Sequence, residues 1–209
     1  MKNDNMIRKI WGVTLWTLII LQIAVIILSW LVNSAGGATP VMRSLLSGEG
    51  LRWFFGHFTD NLASTPLVWL LLCTIAWGAM QGSGLPEALL QRLRGQRLPF
   101  RSRVALWVVG IETVVIVIVM LLLTAVPHAL LLSSEGHLFP SSFSESLIPV
   151  ICFYLTLSGS VYALLSGKAK GTDGLYSLLA SAFRYVAPWY VIFIFLVQLA
   201  SSIIFIFSV

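Results

Sequence analysis

Five apolar stretches, each long enough to cross a bilayer, recur along the chain at about 10–32, 66–83, 104–126, 147–165 and 187–207. No other feature constrains the fold as strongly. At 1.5 Å per residue, about 20 helical residues cover the roughly 30 Å of hydrocarbon in a membrane. Hydrocarbon offers no partner to a bare peptide group, so each stretch must satisfy its own backbone as a helix. The expected fold class is therefore all-α, a polytopic integral membrane protein with five transmembrane helices in a single membrane domain over 1–209. Composition agrees: 58% of the 209 residues are hydrophobic, 10% are charged and mean hydropathy is +0.92, which excludes a single soluble enzyme domain.

The distribution of basic residues sets an orientation. Of the thirteen Lys and Arg, Lys2, Arg8, Lys9, Arg92, Arg94, Arg97, Arg101, Arg103, Lys168, Lys170 and Arg184 fall on one side of the spans, and only Arg43 and Arg52 on the other. The positive-inside rule then predicts a cytoplasmic N-terminus and an external C-terminus in a bacterial inner (plasma) membrane. Trp11, Trp53, Tyr185 and Trp189 lie near predicted span ends, where amphipathic rings prefer the headgroup layer. Small residues at 34–38 resemble a signal-peptidase site, but the apolar stretch before them is too long for a signal core and reads as a retained span. The net charge of +5 has its bases flanking apolar runs, so the acidic partner expected is the lipid bilayer and not nucleic acid. Arg92, Arg94, Arg97, Arg101 and Arg103 are read as anionic-lipid contacts, worth roughly 1 kcal/mol each near the surface.

The connecting segments carry structure of their own. Apolar residues at 51, 54, 55 and 58 share one helical face, which predicts an amphipathic external helix over about 47–60 with Ser47 as its cap. Pro86 in a first turn, with bases late in the segment, predicts a short cytoplasmic helix over about 86–95. The stretch 167–174 has glycines and lysines but lacks the strand and the Gly-Lys-Ser/Thr ending of a phosphate loop. The external loop 127–146 holds His128, Glu135, His137 and Glu145 without metal-ligand spacing, so no metal is expected there. Cys73 and Cys152 both fall inside predicted spans and read as free thiols.

Glu112 is the one formally charged side chain well inside a predicted span, a placement costing on the order of 2.5 to 3.5 kcal/mol. Two readings stay open. It is a proton or cation carrier facing an aqueous cavity, or a carboxyl bonded to a facing helix, with Thr113, Gln22, Thr74, Gln81, Thr156 and Gln198 as candidate partners. Gly78 and Gly82, and Gly159 and Ala163, are four apart and suit close helix packing, either within the chain or at a homodimer seam. Ser158 and Ser160 add hydroxyls able to bond across helices. No nucleophile elbow, phosphate loop, dinucleotide fingerprint or metal-ligand spacing is present, so neither an enzyme nor a cofactor is expected. Gly110, Pro149 and Pro188 are placed near span ends or first turns, which leaves the span centres unbroken.

The run from Leu45 through Ser47-Gly48-Glu49-Gly50 to Phe55, then Asn61-Leu62 and Leu85-Pro86-Glu87-Ala88-Leu89, resembles the p-aminobenzoyl-glutamate transporter family (AbgT) after its first helix. His137-Leu138-Phe139-Pro140-Ser141-Ser142-Phe143, with Leu147-Ile148-Pro149 and Tyr162-Ala163-Leu164, is similar to that family's external loop and following helix. The resemblance implies a framework of helices that makes a dimer contact. Family members are longer and carry re-entrant hairpins with broken helices at the substrate and cation site. The expectation is thus a shortened member lacking that transport region, onto which no family substrate residue carries over. The function expected is a scaffold or accessory subunit without a transport cycle of its own, a homodimer or a partner of a second membrane protein. The alternative is a secondary transporter of a small anionic solute, split or oligomeric, and proton- or cation-coupled.

Overall fold

The structure is a computed structural model that describes residues 2–36, 42–125 and 142–208. Among the described residues the chain forms nine helices and no strand: α1 (Lys2–Ala35), α2 (Gly48–Gly56), α3 (Phe58–Leu62), α4 (Thr65–Ser83), α5 (Leu85–Leu93), α6 (Phe100–Ala125), α7 (Ser142–Ser166), α8 (Gly171–Ala180) and α9 (Phe183–Phe207). Five are long and apolar enough to span a membrane: α1, α4, α6, α7 and the nearly continuous α8–α9 stretch. The protein is an all-α, polytopic membrane protein. Residues 126–141, with His128, Glu135 and His137, and the side chain of Glu145 lie outside the described residues.

The chain divides into two compact units, 1–67 with 186–209, and 68–185. In the first, α9 packs on α1 and on the segment that follows it. Trp11 and Trp189 meet edge to face at 5.0 Å, and Leu45, Phe205 and Ile206 form a small core with Val25, Ile26, Met42 and Trp53. The extended chain before α2 is tied at both sides: the Arg43 N–H donates to the Ile206 carbonyl, and the Leu45 N–H to Ser29 Oγ. Ser47 caps α2 as its position predicts, its Oγ accepting from the Gly50 N–H at 3.0 Å. The single amphipathic helix expected over 47–60 is instead two, broken at His57. There Gly56, a poor helix former, ends α2, and the Trp53 ring stacks on Phe205 at 4.3 Å.

In the second unit, α6 and α7 form the most extensive helix pair, and α4, α5 and α8 pack around them. The buried residues are mostly small: Ala76, Ala79, Ala88, Ala105, Ala163, Ala169 and Ala182. Lipid tails are as apolar as leucine, so burying large side chains gains little in a membrane; close approach of helix backbones is what holds them together. Gly84, at φ 67, turns the chain from α4 into α5 in a left-handed conformation that a side chain resists. Between α7 and α9, where sequence reading gave only a connector, α8 presents Leu175, Leu178 and Leu179 at helical spacing, with Leu178 buried.

Two further boundaries differ from expectation. Helices α7 and α9 begin several residues before the apolar runs do, so Pro149 and Pro188 lie inside helices, not at their edges. Hydrophobicity marks where a helix enters hydrocarbon, while the helix itself starts in the polar layer. Cys73 and Cys152 are free thiols whose sulfurs are 3.5 Å apart across α4 and α7. A membrane-permeant oxidant such as iodine should therefore join them within one chain, read as loss of both titratable thiols without a dimer band. Two thiols that survive oxidation would contradict the pairing of α4 with α7.

Candidate functional site

Residue 112 and its neighbours on α7 make up the polar centre of the second unit. From α7, Ser158 Oγ donates to Glu112 Oε1 at 2.9 Å. One turn earlier, Tyr154 Oη lies 2.7 Å from Thr113 Oγ1. Thr113 already donates its single proton to the Val109 carbonyl, so the tyrosine hydroxyl is the donor across the helices. Two consecutive residues of α6 thus bond two residues of α7 spaced by one helical turn. Glu112 Oε2 is buried and has no hydrogen-bond partner among the described residues. A carboxylate with about four lone-pair sites and one donor is under-satisfied.

Four further residues that the sequence offers as partners of Glu112 bond elsewhere. Thr74 and Thr156 donate back to the carbonyls of Leu70 and Cys152 in their own helices. Gln22 and Gln198 belong to the other unit, where Gln22 Nε2 donates to Ser202 Oγ, Ser202 Oγ donates to the Gln198 carbonyl, and Asn61 Nδ2 reaches Gln198 Oε1 at 3.4 Å. Gln22 Oε1 and Gln198 Nε2 are buried and have no hydrogen-bond partner among the described residues. Near this file opens a cavity of about 540 Å³ lined by Arg43, Arg52, Trp53, His57 and Asn61, with Arg43 5.5 Å over the Phe205 ring.

The four small residues are occupied within the chain. A Cβ on Gly78 would come within 2.8 Å of the Leu179 carbonyl, one on Gly82 within 2.9 Å of Leu178, and one on Gly159 within 2.7 Å of the Ala79 carbonyl. Ala163 is fully buried with Ala79, Ala169 and Leu178. The five arginines separate. All five are exposed, but Arg92 and Arg103 line a common groove beside α6, Arg101 approaches Gly167, and Arg94 and Arg97 do neither. Tyr154 and Ser202 are polar partners that the sequence did not single out, and Ser158, read as a hydroxyl able to bond across helices, was not matched with Glu112. Their signal was the one-turn spacing of 154 and 158, legible only once α7 is known to face Glu112 and Thr113.

Two substitutions separate polar bonding from backbone approach. Ser158→Ala removes one interhelical bond and should lower stability by about 0.6 kcal/mol, at most about 1.7. Gly159→Leu sets a side chain against the α4 backbone and should cost about 1–3 kcal/mol or more. Thermal unfolding in mild detergent would check the order, and a larger loss for Ser158→Ala would contradict it.

Residues 94–207 match a family model described as the AbgT putative transporter family. No curated protein and no solved structure matches the chain.

Proposed function

Because the chain belongs to the AbgT putative transporter family, we propose that it acts as a scaffold or accessory subunit, without an autonomous transport cycle, in the bacterial inner membrane. The observation that carries this reading is the use made of the polar side chains inside the spans. Glu112, Thr113, Tyr154, Ser158, Gln22 and Ser202 all bond to neighbouring helices, and among the described residues the grooves beside α6 are lined by Thr113 and Tyr154 but not by Glu112. Groups engaged in this way hold helices together, and a solute path needs them turned toward water. Its partner is a second copy of the chain or a second membrane protein. Exposed Val13, Trp16, Ile20, Ile23, Ile27 and Trp30 on α1 repeat at three and four residues, the spacing of a left-handed helix pair, and supply the face proposed for a homodimer.

The second reading, a proton- or cation-coupled secondary transporter of a small anionic solute such as an aminobenzoyl-glutamate, is favoured by one observation: the buried and unpartnered Glu112 Oε2. Purification in mild detergent followed by reconstitution tests the two against each other. The scaffold reading expects a homodimer or a stable complex with another membrane protein, and no solute accumulation in proteoliposomes under a proton gradient. Uptake by the protein alone, abolished in Glu112→Gln, would establish the transporter instead.

A further inference from the structure

We propose that the unit 68–185 binds one anionic phospholipid, its phosphate held by Arg92 and Arg103 and one acyl chain laid along α6 as far as the Thr113–Tyr154 pair. The site is a groove of about 670 Å³ between α5, α6 and α7. Leu85, Leu89 and Arg92 recur at four and three residues, so one face of α5 presents two apolar side chains and then a cation. On α6, which returns after the turn that follows α5, the order is reversed: Arg103 leads, and Leu106, Trp107, Gly110, Ile111 and Val114 follow. Both cations therefore stand at one end of an otherwise apolar channel.

The dimensions match one leaflet. From Arg103 to Val114 the helix rises about 16 Å, close to half of the roughly 30 Å hydrocarbon thickness. At the deep end the Thr113 and Tyr154 hydroxyls are bonded to each other, so a chain terminus ending there meets no unsatisfied polar group. Gly110 leaves open space beside the helix, since a Cβ added there meets nothing within 4 Å. The charge is uncompensated: among the described residues the one ion pair is Arg43 with Glu49, and neither Arg92 nor Arg103 has an acidic partner. A phosphodiester supplies the missing anion to both guanidinium groups, while free phosphate would leave the apolar channel unfilled and a neutral-headgroup lipid would leave the arginines without net neutralisation. Arg94 and Arg97 do not line the groove. The proposal thus selects two arginines from a cluster that sequence reading treats as equivalent, and it stands independently of the scaffold reading.

Native mass spectrometry of the detergent-purified protein, titrated in parallel with phosphatidylglycerol, phosphatidylcholine and glycerol phosphate, tests it. One phosphatidylglycerol should be retained in preference to the other two. The Arg92→Gln, Arg103→Gln double variant should lower that retention about tenfold or more, with Arg94→Gln, Arg97→Gln, which removes the same charge, staying within about twofold of the parent. Gly110→Leu, which fills the channel without touching charge at an open position of a helix, should also reduce retention while unfolding stays unchanged. Equal losses in the two double variants, phosphatidylcholine retained as well as phosphatidylglycerol, or glycerol phosphate bound as well as the lipid, would overturn the proposal. So would groove variants that alter dimer content and leave lipid retention as it was.

Discussion

The contact between Gly159 of α7 and the Ala79 carbonyl of α4 is the approach on which the unit 68–185 depends. In a membrane there is little hydrophobic gain in bringing two apolar helices together, because the lipid they displace is equally apolar. What remains is dispersion between surfaces that fit and the few hydrogen bonds that can cross between helices. A residue without a side chain lets two backbones meet, and once α7 lies there its neighbours follow. Ser158 faces Glu112 on α6, Tyr162 enters the core shared with α5 and α6, and Ala163 meets Ala169 and Leu178. Consecutive residues of one helix serve different partners because a helix advances by about 100° per residue.

The same reasoning explains why the polar side chains in the spans carry so much of the functional argument. Each would be costly facing lipid, and Gln22, Thr74, Thr113, Thr156, Ser158 and Ser202 have a partner on a neighbouring helix or on their own backbone. Glu112 is the partial exception: one oxygen is bonded and the other is not. A scaffold tolerates such a group as an anchor between α6 and α7, while a transporter would use it as a titrating site. The bond to Ser158 favours the first, and the unpaired oxygen is what keeps the second reading concrete.

Part of the candidate site was legible in the chain before any fold. Glu112 stood out because a carboxyl far from either end of an apolar run needs a physical reason, and the glycine pairs stood out because their spacing places them on one helix face. The partners were not legible. Gln22 and Gln198 looked like suitable donors for Glu112, yet they lie with Ser202 and Asn61 in the other unit. Helix α8 was missed because ten residues between longer apolar runs carry no spanning signal, and their leucines acquire meaning only against Gly78 and Gly82.

Alone, the order of residues determined that the chain lies in lipid and how many times it can cross, because transfer of apolar groups and closure of backbone hydrogen bonds are local properties summed along a segment. It also determined the Ser47 cap, which involves neighbours three residues apart. Tertiary structure decided which helix each polar or small residue faces, which two of five arginines share a groove, and that Gly78 and Gly82 receive α8 of the same chain. Those outcomes depend on helix rotation and register. Apolar surfaces exposed to equally apolar lipid give almost no preference for either until the rigid bodies meet and the close contacts and hydrogen bonds between them select one arrangement.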